Sequence, residues 1–374
     1  MIASNKWKVT TFIGTRPEII RLSEIIKLAD VVFEHRLIHS GQNSVEFLNE
    51  VFFNELDIPH PSKILETDTS SLGAFLGTFL PLAENEFINN RPDAVLILGD
   101  TNTSLVSIIA KRMGIPVFHL EAGNRSFDVN VPEEINRKIV DHSSDYNLAY
   151  TEHARRNLLN EGLHPRTTSV IGSPLREVLH KNFDKVQNSK VLEHLDLEPQ
   201  EYYLVSMHRQ ENVNSELQLR MLVDALECVS NMQDKRVIVT LHPRTKDKLE
   251  SFGINCSNKI EFITPLGFID YVALQINAIS VLSDSGSISE EAAILGIRAL
   301  TIRSSMERPE ALEAGVVLLT GGNQMSILRA LEALEKLGSN FGTPAEYEIK
   351  DTSNRVVSFM VSVLPNHKVW AGIR

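Results

Sequence analysis

Apolar runs that end in polar, glycine-containing loops alternate with segments of helical spacing through the first half of the chain. The first run, residues 9–13, breaks at Gly14, and apolar residues then recur at helical spacing from Ile19 to Ala29. Repetition of strand, loop and helix predicts a parallel, doubly wound α/β sheet. The other predicted strands of this half are residues 33–40, 93–98, 117–119, 145–150 and 168–171, and a long helix is predicted at 72–90.

The second half of the chain repeats this architecture. Its predicted strands are residues 202–206, 236–241, 259–263, 279–282 and 299–302, and an amphipathic helix is predicted at 323–337. A last helix, capped at Asp351, is predicted to run to about Leu364. A chain of 374 residues suggests two domains. We predict domains at 1–172 and 173–354, with the C-terminal helix, about 355–374, packing back on the first domain.

Composition and charge exclude several classes of protein. A hydrophobic content of 43% and a charged content of 23% are typical of a soluble globular protein. The net charge of −11 argues against a nucleic-acid partner. Cys228 and Cys256 provide neither a disulfide framework nor a zinc-binding spacing. No signal core and no membrane-spanning run is visible, so we expect a cytoplasmic protein without a membrane partner.

The loop after the first predicted strand, GTRPE at 14–18, is a candidate anion site. A loop that opens a helix directs backbone N–H groups and the positive helix end at an anion, and Arg16 adds a planar cation. The loop is not the GxGxxG fingerprint, so no nicotinamide cofactor is indicated. Many strand-to-helix loops hold a glycine and an arginine for structural reasons alone, so this loop does not by itself identify a phosphate site.

Carboxylates at neighbouring strand ends form a second candidate feature. Asp100 and Glu121 follow two predicted strands, and parallel strands bring their carboxyl ends to one edge of the sheet, where Arg16 also lies. Glu133 follows Pro132 in the first turn of a predicted helix. Asp100 could instead be a helix N-cap. For Glu134 and Lys138, four residues apart, we prefer a solvated ion pair.

The second half carries candidate phosphate-binding residues. Two predicted strands end at His208-Arg209 and at His242-Pro243-Arg244, and the loop SDSGS at 283–287 opens a helix that carries Glu290 and Glu291. Such a loop suits a diphosphate bound at a helix N-terminus. A single histidine at a strand end is more often a structural hydrogen-bonding residue. Two histidines facing a carboxylate-rich domain favour a functional role.

Seven motifs occur in an order that resembles a known family. They are GTRPE (14–18), GDT (99–101), EAG-R (121–125), PEE-NR (132–137), HR-EN (208–212), DSGS--EEA (284–292) and ERPE (307–310). They are similar to those of the non-hydrolysing UDP-N-acetylglucosamine 2-epimerase family and extend over nearly the whole chain. The resemblance implies two Rossmann-like domains facing a cleft, similar to the glycosyltransferase B fold, in a homodimer that binds a UDP-activated amino sugar.

The resemblance also implies roles for individual residues, without a metal or a cofactor. UDP leaves C1, a proton leaves C2, and UDP adds back after protonation from the other face. The acid/base residues would be Asp100, Glu121 and Glu133, in an order that the sequence leaves open. His208 would donate to the leaving phosphate. Diphosphate contacts would come from Arg16, Ser285, Gly286 and Ser287, ribose contacts from Glu291, and uracil contacts from Tyr271. His242 and Arg137 are further candidates for substrate contact.

Within this family the chain is most similar to the branch that converts UDP-2-acetamido-2,6-dideoxy-L-talose to UDP-N-acetyl-L-fucosamine for bacterial capsule or O-antigen. Asn124 stands where the glucosamine enzymes carry Leu, and SGQN at 40–43 stands where they usually have TGQH. Asn43 and Arg21 depart from the allosteric site of those enzymes, and Ser287 replaces the second Gly of DSGG. The alternatives are a UDP-N-acetylglucosamine 2-epimerase giving UDP-N-acetylmannosamine, a hydrolysing relative, a glycosyltransferase of the same fold, or a non-catalytic nucleotide-sugar sensor.

Overall fold

The computed structural model describes residues 6–43, 46–207, 215–241, 243–254, 256–337 and 342–373. Two compact units divide the chain: Met1–Lys181 with Glu348–Arg374, and Asn182–Tyr347. The predicted domain boundary at 172 precedes the helix Pro174–Gln187, which continues across residues 181 and 182. Among the described residues, no helix is long and apolar enough to cross a membrane.

A parallel sheet forms the centre of the first unit. Its strands are β1 (Lys8–Ile13), β2 (Glu34–His39), β3 (Lys63–Ile64), β4 (Ala94–Leu98), β5 (Val117–Leu120), β6 (Tyr146–Ala149) and β7 (Thr168–Val170). They lie in the order β3-β2-β1-β4-β5-β6-β7, and each described pair is parallel. The predicted doubly wound sheet is confirmed. The edge strand β3 was not predicted because it has only two residues, both exposed.

Helices cover the first sheet and connect its strands. They are α1 (Arg16–Val32), α2 (Glu46–Glu55), α3 (Leu72–Asn89), α4 (Val106–Arg112), α5 (Glu133–Ser143), α6 (Glu152–Asn160) and α7 (Pro174–Gln187). On one face, the ring of Phe12 lies 6.2 Å from Phe79 and 5.7 Å from Phe87, both of α3. These edge-on aromatic contacts fix α3 against the strands.

The second unit contains a parallel sheet of the same design. Its strands are β8 (Tyr202–Met207), β9 (Arg236–Leu241), β10 (Ile260–Ile263), β11 (Val281–Ser283), β12 (Ala299–Thr301) and β13 (Val317–Leu319), in the order β10-β9-β8-β11-β12-β13. Its helices are α8 (Val191–His194), α9 (Glu216–Gln233), α10 (Pro243–Ser251), α11 (Phe268–Asn277), α12 (Ile288–Leu295), α13 (Pro309–Glu313) and α14 (Gln324–Leu337). The strand β13, whose residues go from buried to exposed, was not predicted.

The chain ends with two helices of the first unit, α15 (Thr352–Val363) and α16 (His367–Trp370). Phe359 of α15 packs edge-on against Tyr146 of β6, with 5.7 Å between ring centroids. Ser353 donates its backbone N–H and its hydroxyl to the two oxygens of Glu177 at 2.8 and 2.7 Å. The last helices are therefore held by aromatic packing and by hydrogen bonds within the first unit.

Both sheets contain a switch point beside their first strand. β1 lies between β2 and β4, and β8 lies between β9 and β11. The connections after the two strands that meet at a switch point, β1 and β4 or β8 and β11, run to opposite faces of the sheet. Open α/β sheets bind ligands in the crevice between these connections. In the first unit the loops at the switch point follow β1 and β4, and the loop after the neighbouring strand β5 lies at the same edge of the sheet. In the second unit they follow β8 and β11.

Candidate active site

Arg16 begins helix α1 at the first switch point. Its side chain is half-buried, and burial lowers the pKa of its guanidinium because the charged form loses water. In the part of the chain that the structure describes, the guanidinium has no carboxylate partner. A half-buried cation at a helix N-terminus is suited to an anion. The predicted diphosphate contact of Arg16 remains a prediction.

Glu18 is a buried carboxyl group that sequence reasoning did not select. One oxygen, Oε2, accepts hydrogen bonds from the backbone N–H of Gly14 (2.8 Å) and from the N–H and hydroxyl of Thr15 (2.7 and 2.9 Å). The other, Oε1, accepts from the hydroxyl of Thr101 at 2.7 Å. A threonine followed three residues later by glutamate at a helix start is the sequence signal that could have identified it.

The free energy of unfolding is expected to depend on pH through Glu18. Burial raises its pKa to about 7, against the opposing effect of its hydrogen bonds. The folded protein therefore retains a proton that the unfolded chain releases, and stability decreases as pH rises from about 4.5 to about 7, by up to about 3 kcal/mol. Denaturant unfolding of Glu18→Gln and wild type across this range measures the effect. A constant difference between the two proteins at every pH would contradict it.

Asp100 follows β4, and its carboxylate is held by helix α5. Arg137 places Nε and Nη2 each 2.7 Å from Asp100 Oδ2. Asn136 donates its amide to the backbone carbonyl of Asp100 at 2.9 Å. The alternative role of Asp100 as a helix N-cap is wrong, because Thr101 is the N-cap of the short 3-10 helix that follows. Arg137, predicted to contact substrate, contacts the Asp100 carboxylate here.

Glu134 corrects the prediction of a solvated ion pair with Lys138. Its side chain is buried and accepts a hydrogen bond from Nη1 of Arg137 at 2.9 Å. It also accepts from the backbone N–H of Ser126 at 3.0 Å and of Phe127 at 3.4 Å. The prediction was wrong because position 134 faces the preceding loop rather than solvent, which the spacing of charges did not reveal.

Glu121 occupies the left-handed region of the backbone, with φ of 62°. This conformation is uncommon for a residue with a side chain and often occurs at functional sites. Nη1 of Arg21 lies 2.9 Å from Glu121 Oε2, and the amide of Asn124 lies 3.4 Å from Oε1. A Cβ on Gly99 would lie 3.5 Å from Oε2, so the Glu121 carboxylate lies beside the residue that precedes Asp100.

A buried network around Asp141 supports the loop that carries Glu121. The Asp141 carboxylate lies 2.8 Å from Nη1 of Arg125 and accepts the backbone N–H of Gly123 at 3.2 Å. Nδ1 of His119 lies 2.9 Å from the same carboxylate, and its Nε2 lies 2.9 Å from the carbonyl oxygen of Gly99. The network therefore links the Gly99 carbonyl with the loop that follows β5.

Glu133 is the first residue of α5 and is half-exposed. Within the described ranges its side chain forms no hydrogen bond or ion pair. Residues three and four positions apart share a helix face, so Glu133 lies on the face of Asn136 and Arg137, which both bind Asp100. The structure thus brings Gly99, the residue before Asp100, beside the Glu121 carboxylate and places Glu133 one helical turn from the residues that contact Asp100.

The loop SDSGS joins β11 to α12 in the second unit. The hydroxyls of Ser285 and Ser287 lie 2.9 Å apart, and Ser287 donates to Glu291 Oε1 at 2.7 Å. The amide of Gln275 donates to Glu291 Oε2 at 2.6 Å. Both oxygens of Glu291 therefore have fixed orientations beside the loop.

Tyr271 belongs to the same cluster. Burial raises its pKa above the ordinary value, and the nearby charge of Glu291 raises it further, while hydrogen bonds to Ser206 and Gln275 oppose the rise. The structure thus brings Tyr271 and Glu291 together, which are the predicted contacts of uracil and ribose. The predicted residues His208 and His242 lie outside the described residues. Among the residues that are described, no group of His, Cys, Asp and Glu forms a metal site.

Buried charges support the underside of the SDSGS loop. Arg308 donates Nη1 to the carbonyl oxygen of Gly286 at 3.0 Å and pairs through Nη2 with Glu290 at 2.9 Å. Glu307 lies between two guanidiniums, 2.9 Å from Arg303 and 3.1 Å from Arg308. A Cβ on Gly286 would lie 2.4 Å from Glu307 Oε1. The loop therefore requires glycine at this position.

A protein-family model matches most of the chain. The family model described as UDP-N-acetylglucosamine 2-epimerase matches residues 27–361. The chain is 36% identical to the UDP-N-acetylglucosamine 2-epimerase of Methanocaldococcus jannaschii over 346 residues, which cover 90% of this chain and 94% of that protein.

Two solved structures resemble the whole chain. The UDP-N-acetylglucosamine 2-epimerase from Rickettsia bellii superposes with a TM-score of 0.91 and 39% identity, covering 98% of this chain and 99% of the other. The Methanocaldococcus jannaschii enzyme in complex with UDP-GlcNAc and UDP gives a TM-score of 0.90 and 34% identity, covering 95% and 99%. The similarity therefore extends over both units.

Proposed function

The chain belongs to the UDP-N-acetylglucosamine 2-epimerase family and is a C2 epimerase of UDP-N-acetyl sugars, and within this activity we propose that its substrate is UDP-2-acetamido-2,6-dideoxy-L-talose and its product UDP-N-acetyl-L-fucosamine. The observation that carries this substrate is the amide of Asn124, which lies 3.4 Å from the Glu121 carboxylate. Asn124 is buried, so its amide is part of the wall beside the proposed acid/base residue.

The proposed reaction is elimination followed by addition. The hydrogen on C2 is only weakly acidic because no carbonyl group is adjacent to it. When the C1–O bond breaks and UDP departs with the electron pair, positive charge develops at C1 and acidifies that hydrogen. Loss of the C2 proton gives a 2-acetamidoglycal. Protonation of C2 from the opposite face and return of UDP to C1 complete the inversion.

Three carboxylates of the first unit are the proposed acid/base residues. Asp100 and Glu121 each contact an arginine, at 2.7 and 2.9 Å, and either carboxylate would accept a proton or stabilise the cationic C1. Glu133 has no such partner within the described part of the chain, and it lies in the first turn of α5. Proton transfer by positioned side chains of this kind contributes about 10²–10⁴-fold to a rate.

The proposed nucleotide contacts are those that the family motifs imply. Arg16, Ser285 and the N–H groups of Gly286 and Ser287 would hold the diphosphate, with His208 donating to the leaving phosphate. Glu291 would accept from ribose hydroxyls, and Tyr271 would lie by uracil. His242 and Arg137 remain proposed substrate contacts. Support comes from the Tyr271–Glu291 cluster, from the half-buried guanidinium of Arg16, and from the geometry of the SDSGS loop.

Incubation with the L-talose nucleotide sugar in deuterium oxide is expected to give UDP-N-acetyl-L-fucosamine that carries deuterium at C2. The reason is that the proton removed from C2 exchanges with solvent before another is returned. Proton NMR of the product measures both its configuration and the label, and the same incubation in ordinary water is the control. Product without deuterium at C2 would exclude the proton-exchange mechanism.

The second candidate is conversion of UDP-N-acetylglucosamine to UDP-N-acetylmannosamine, which the name of the Methanocaldococcus jannaschii relative favours. Incubation with UDP-N-acetylglucosamine alone separates the two substrates: turnover of this sugar without turnover of the L-talose sugar would reverse the proposal. Measuring UDP released per sugar converted separates epimerisation from hydrolysis and from glycosyl transfer. The homodimer, the cytoplasmic location and the role in capsule or O-antigen synthesis remain proposals, and their support is the motif resemblance.

A further inference from the structure

Helix α1 contacts both strand-end carboxylate loops of the first unit. Glu18 and Arg21 are three residues apart and therefore share one helix face. Glu18 accepts a hydrogen bond from Thr101, the residue after Asp100, at 2.7 Å. Arg21 pairs with Glu121 at 2.9 Å. One face of α1 thus contacts Thr101, the residue after Asp100, and the carboxylate of Glu121.

Glu18 also holds the turn that precedes Arg16. Its Oε2 accepts hydrogen bonds from the N–H groups of Gly14 and Thr15 and from the hydroxyl of Thr15. The side chain is only 1% exposed, so these bonds do not compete with solvent. The far side of the Asp100 loop has a separate support, since Gln42 accepts from the N–H and the hydroxyl of Thr103 at 3.1 and 3.0 Å.

We propose that Glu18 is a positioning residue that fixes Arg16 and Asp100 relative to one another by holding the loop of each with one oxygen of its carboxyl group. Glu18 does not touch the reacting atoms in this proposal. It sets the distance between the diphosphate-binding cation and the acid/base carboxylate. The inference rests on the proposed function, because it assigns those two roles to Arg16 and Asp100.

The carboxyl group of Glu18 has access to both protonation states near neutral pH. Burial raises its pKa to about 7. The other charged residues of the elements that it contacts are Arg16, Arg21, Glu24, Lys27 and Asp30 of α1 and Asp100 beside Thr101. His39, at the end of β2, has its pKa lowered to about 4 by burial and is neutral at this pH. Protonated Glu18 must donate one hydrogen bond, and the hydroxyls of Thr101 and Thr15 are the partners that can accept it, so one of these two hydrogen bonds reverses its direction.

Four variants test the positioning role. Thr101→Val removes only the bond toward Asp100, and we expect kcat to fall about tenfold to hundredfold with KM nearly unchanged, because a small misplacement of a reacting group has that effect. Thr101→Ser keeps the hydroxyl and should restore kcat to within about threefold. Glu18→Ala should lower kcat similarly and also weaken UDP binding about tenfold by releasing the turn before Arg16. Glu18→Gln preserves all four contacts and should keep kcat.

Glu24→Gln is the matched control, since Glu24 is a buried carboxylate of the same helix that pairs with Lys27 and Lys181 away from these loops. Wild-type kcat in both Thr101→Val and Glu18→Ala would overturn the proposal, as would an equal fall of kcat in Glu24→Gln. If the wild-type protein turns over no UDP-amino sugar, the proposed function fails. In that case UDP affinity tests the role of Glu18 separately: equal UDP affinity of Glu18→Ala and wild type would overturn the positioning role.

Discussion

Glu121→Gln is expected to lower kcat for epimerisation by about 10³-fold while leaving the dissociation constant of UDP within about threefold of wild type. Glutamine preserves the shape of the side chain and can still accept from Arg21 through its one oxygen, but its NH₂ group then meets the donor amide of Asn124, and the charge and the basicity are lost. If Glu121 transfers a proton or stabilises the charge at C1, that loss acts on the transition state. Steady-state kinetics and UDP titration calorimetry measure the two quantities.

Two comparisons separate a chemical effect of Glu121→Gln from general damage to the fold. Asp100→Asn should show the same fall in kcat with UDP binding retained. Glu24→Gln replaces a buried, cation-paired carboxylate of the same unit and should keep kcat. Thermal unfolding of each variant measures the loss of stability that follows from removing the ion pair, separately from the loss of activity. Near wild-type epimerisation by Glu121→Gln or by Asp100→Asn would refute the acid/base assignment of that residue.

Gly286→Ala is expected to weaken UDP binding by about 100-fold, which is close to 3 kcal/mol of binding free energy. The added Cβ would lie 2.4 Å from Glu307 Oε1 and 3.0 Å from Nη1 of Arg308. Glu307 cannot move aside easily, because it is buried between Arg303 and Arg308 and its movement would leave both guanidiniums poorly paired. The SDSGS loop must move instead, and its N–H groups lose their alignment toward the diphosphate.

Gly322→Ala is the matched control for Gly286→Ala in the same unit. A Cβ on Gly322 would come no closer than 3.8 Å to its nearest neighbour, Oε1 of Gln218, so UDP affinity should be unchanged. UDP affinity within about threefold of wild type in Gly286→Ala would show that the loop does not hold the diphosphate.

Strand positions could be predicted from local pattern because each buried parallel strand is a short apolar run that ends in a polar loop. The predicted run 93–98 is β4, Ala94–Leu98, and the predicted run 236–241 is β9, Arg236–Leu241. The short strands β3 and β13 could not be predicted in this way. Length alone is not the reason, since β11 and β12 also have three residues and were predicted from wholly buried apolar runs, whereas β3 and β13 contain exposed residues.

The candidate site was predictable only as a set of residues. Motifs identified Arg16, Asp100 and Glu121 because each stands where a strand ends, and the parallel sheet brings such ends to one edge. The partners of these residues were not predictable. Arg21 meets Glu121 across 100 positions of sequence, and Thr101 meets Glu18 across 83. Contacts of this kind depend on how the helices pack, which the local pattern does not encode.

The sequence by itself determined the fold class, the family and the residues that could perform the chemistry, because these depend on local periodicity and on motif order. The tertiary structure decided how the residues are paired and supported. It showed Glu134 to be buried under the loop at 126–127, Glu18 to link two loops, and Arg308 to lie beneath Gly286. A charged residue has the same appearance in the sequence whether it is solvated or buried. Only the packing of helices against the sheet determines which of the two applies.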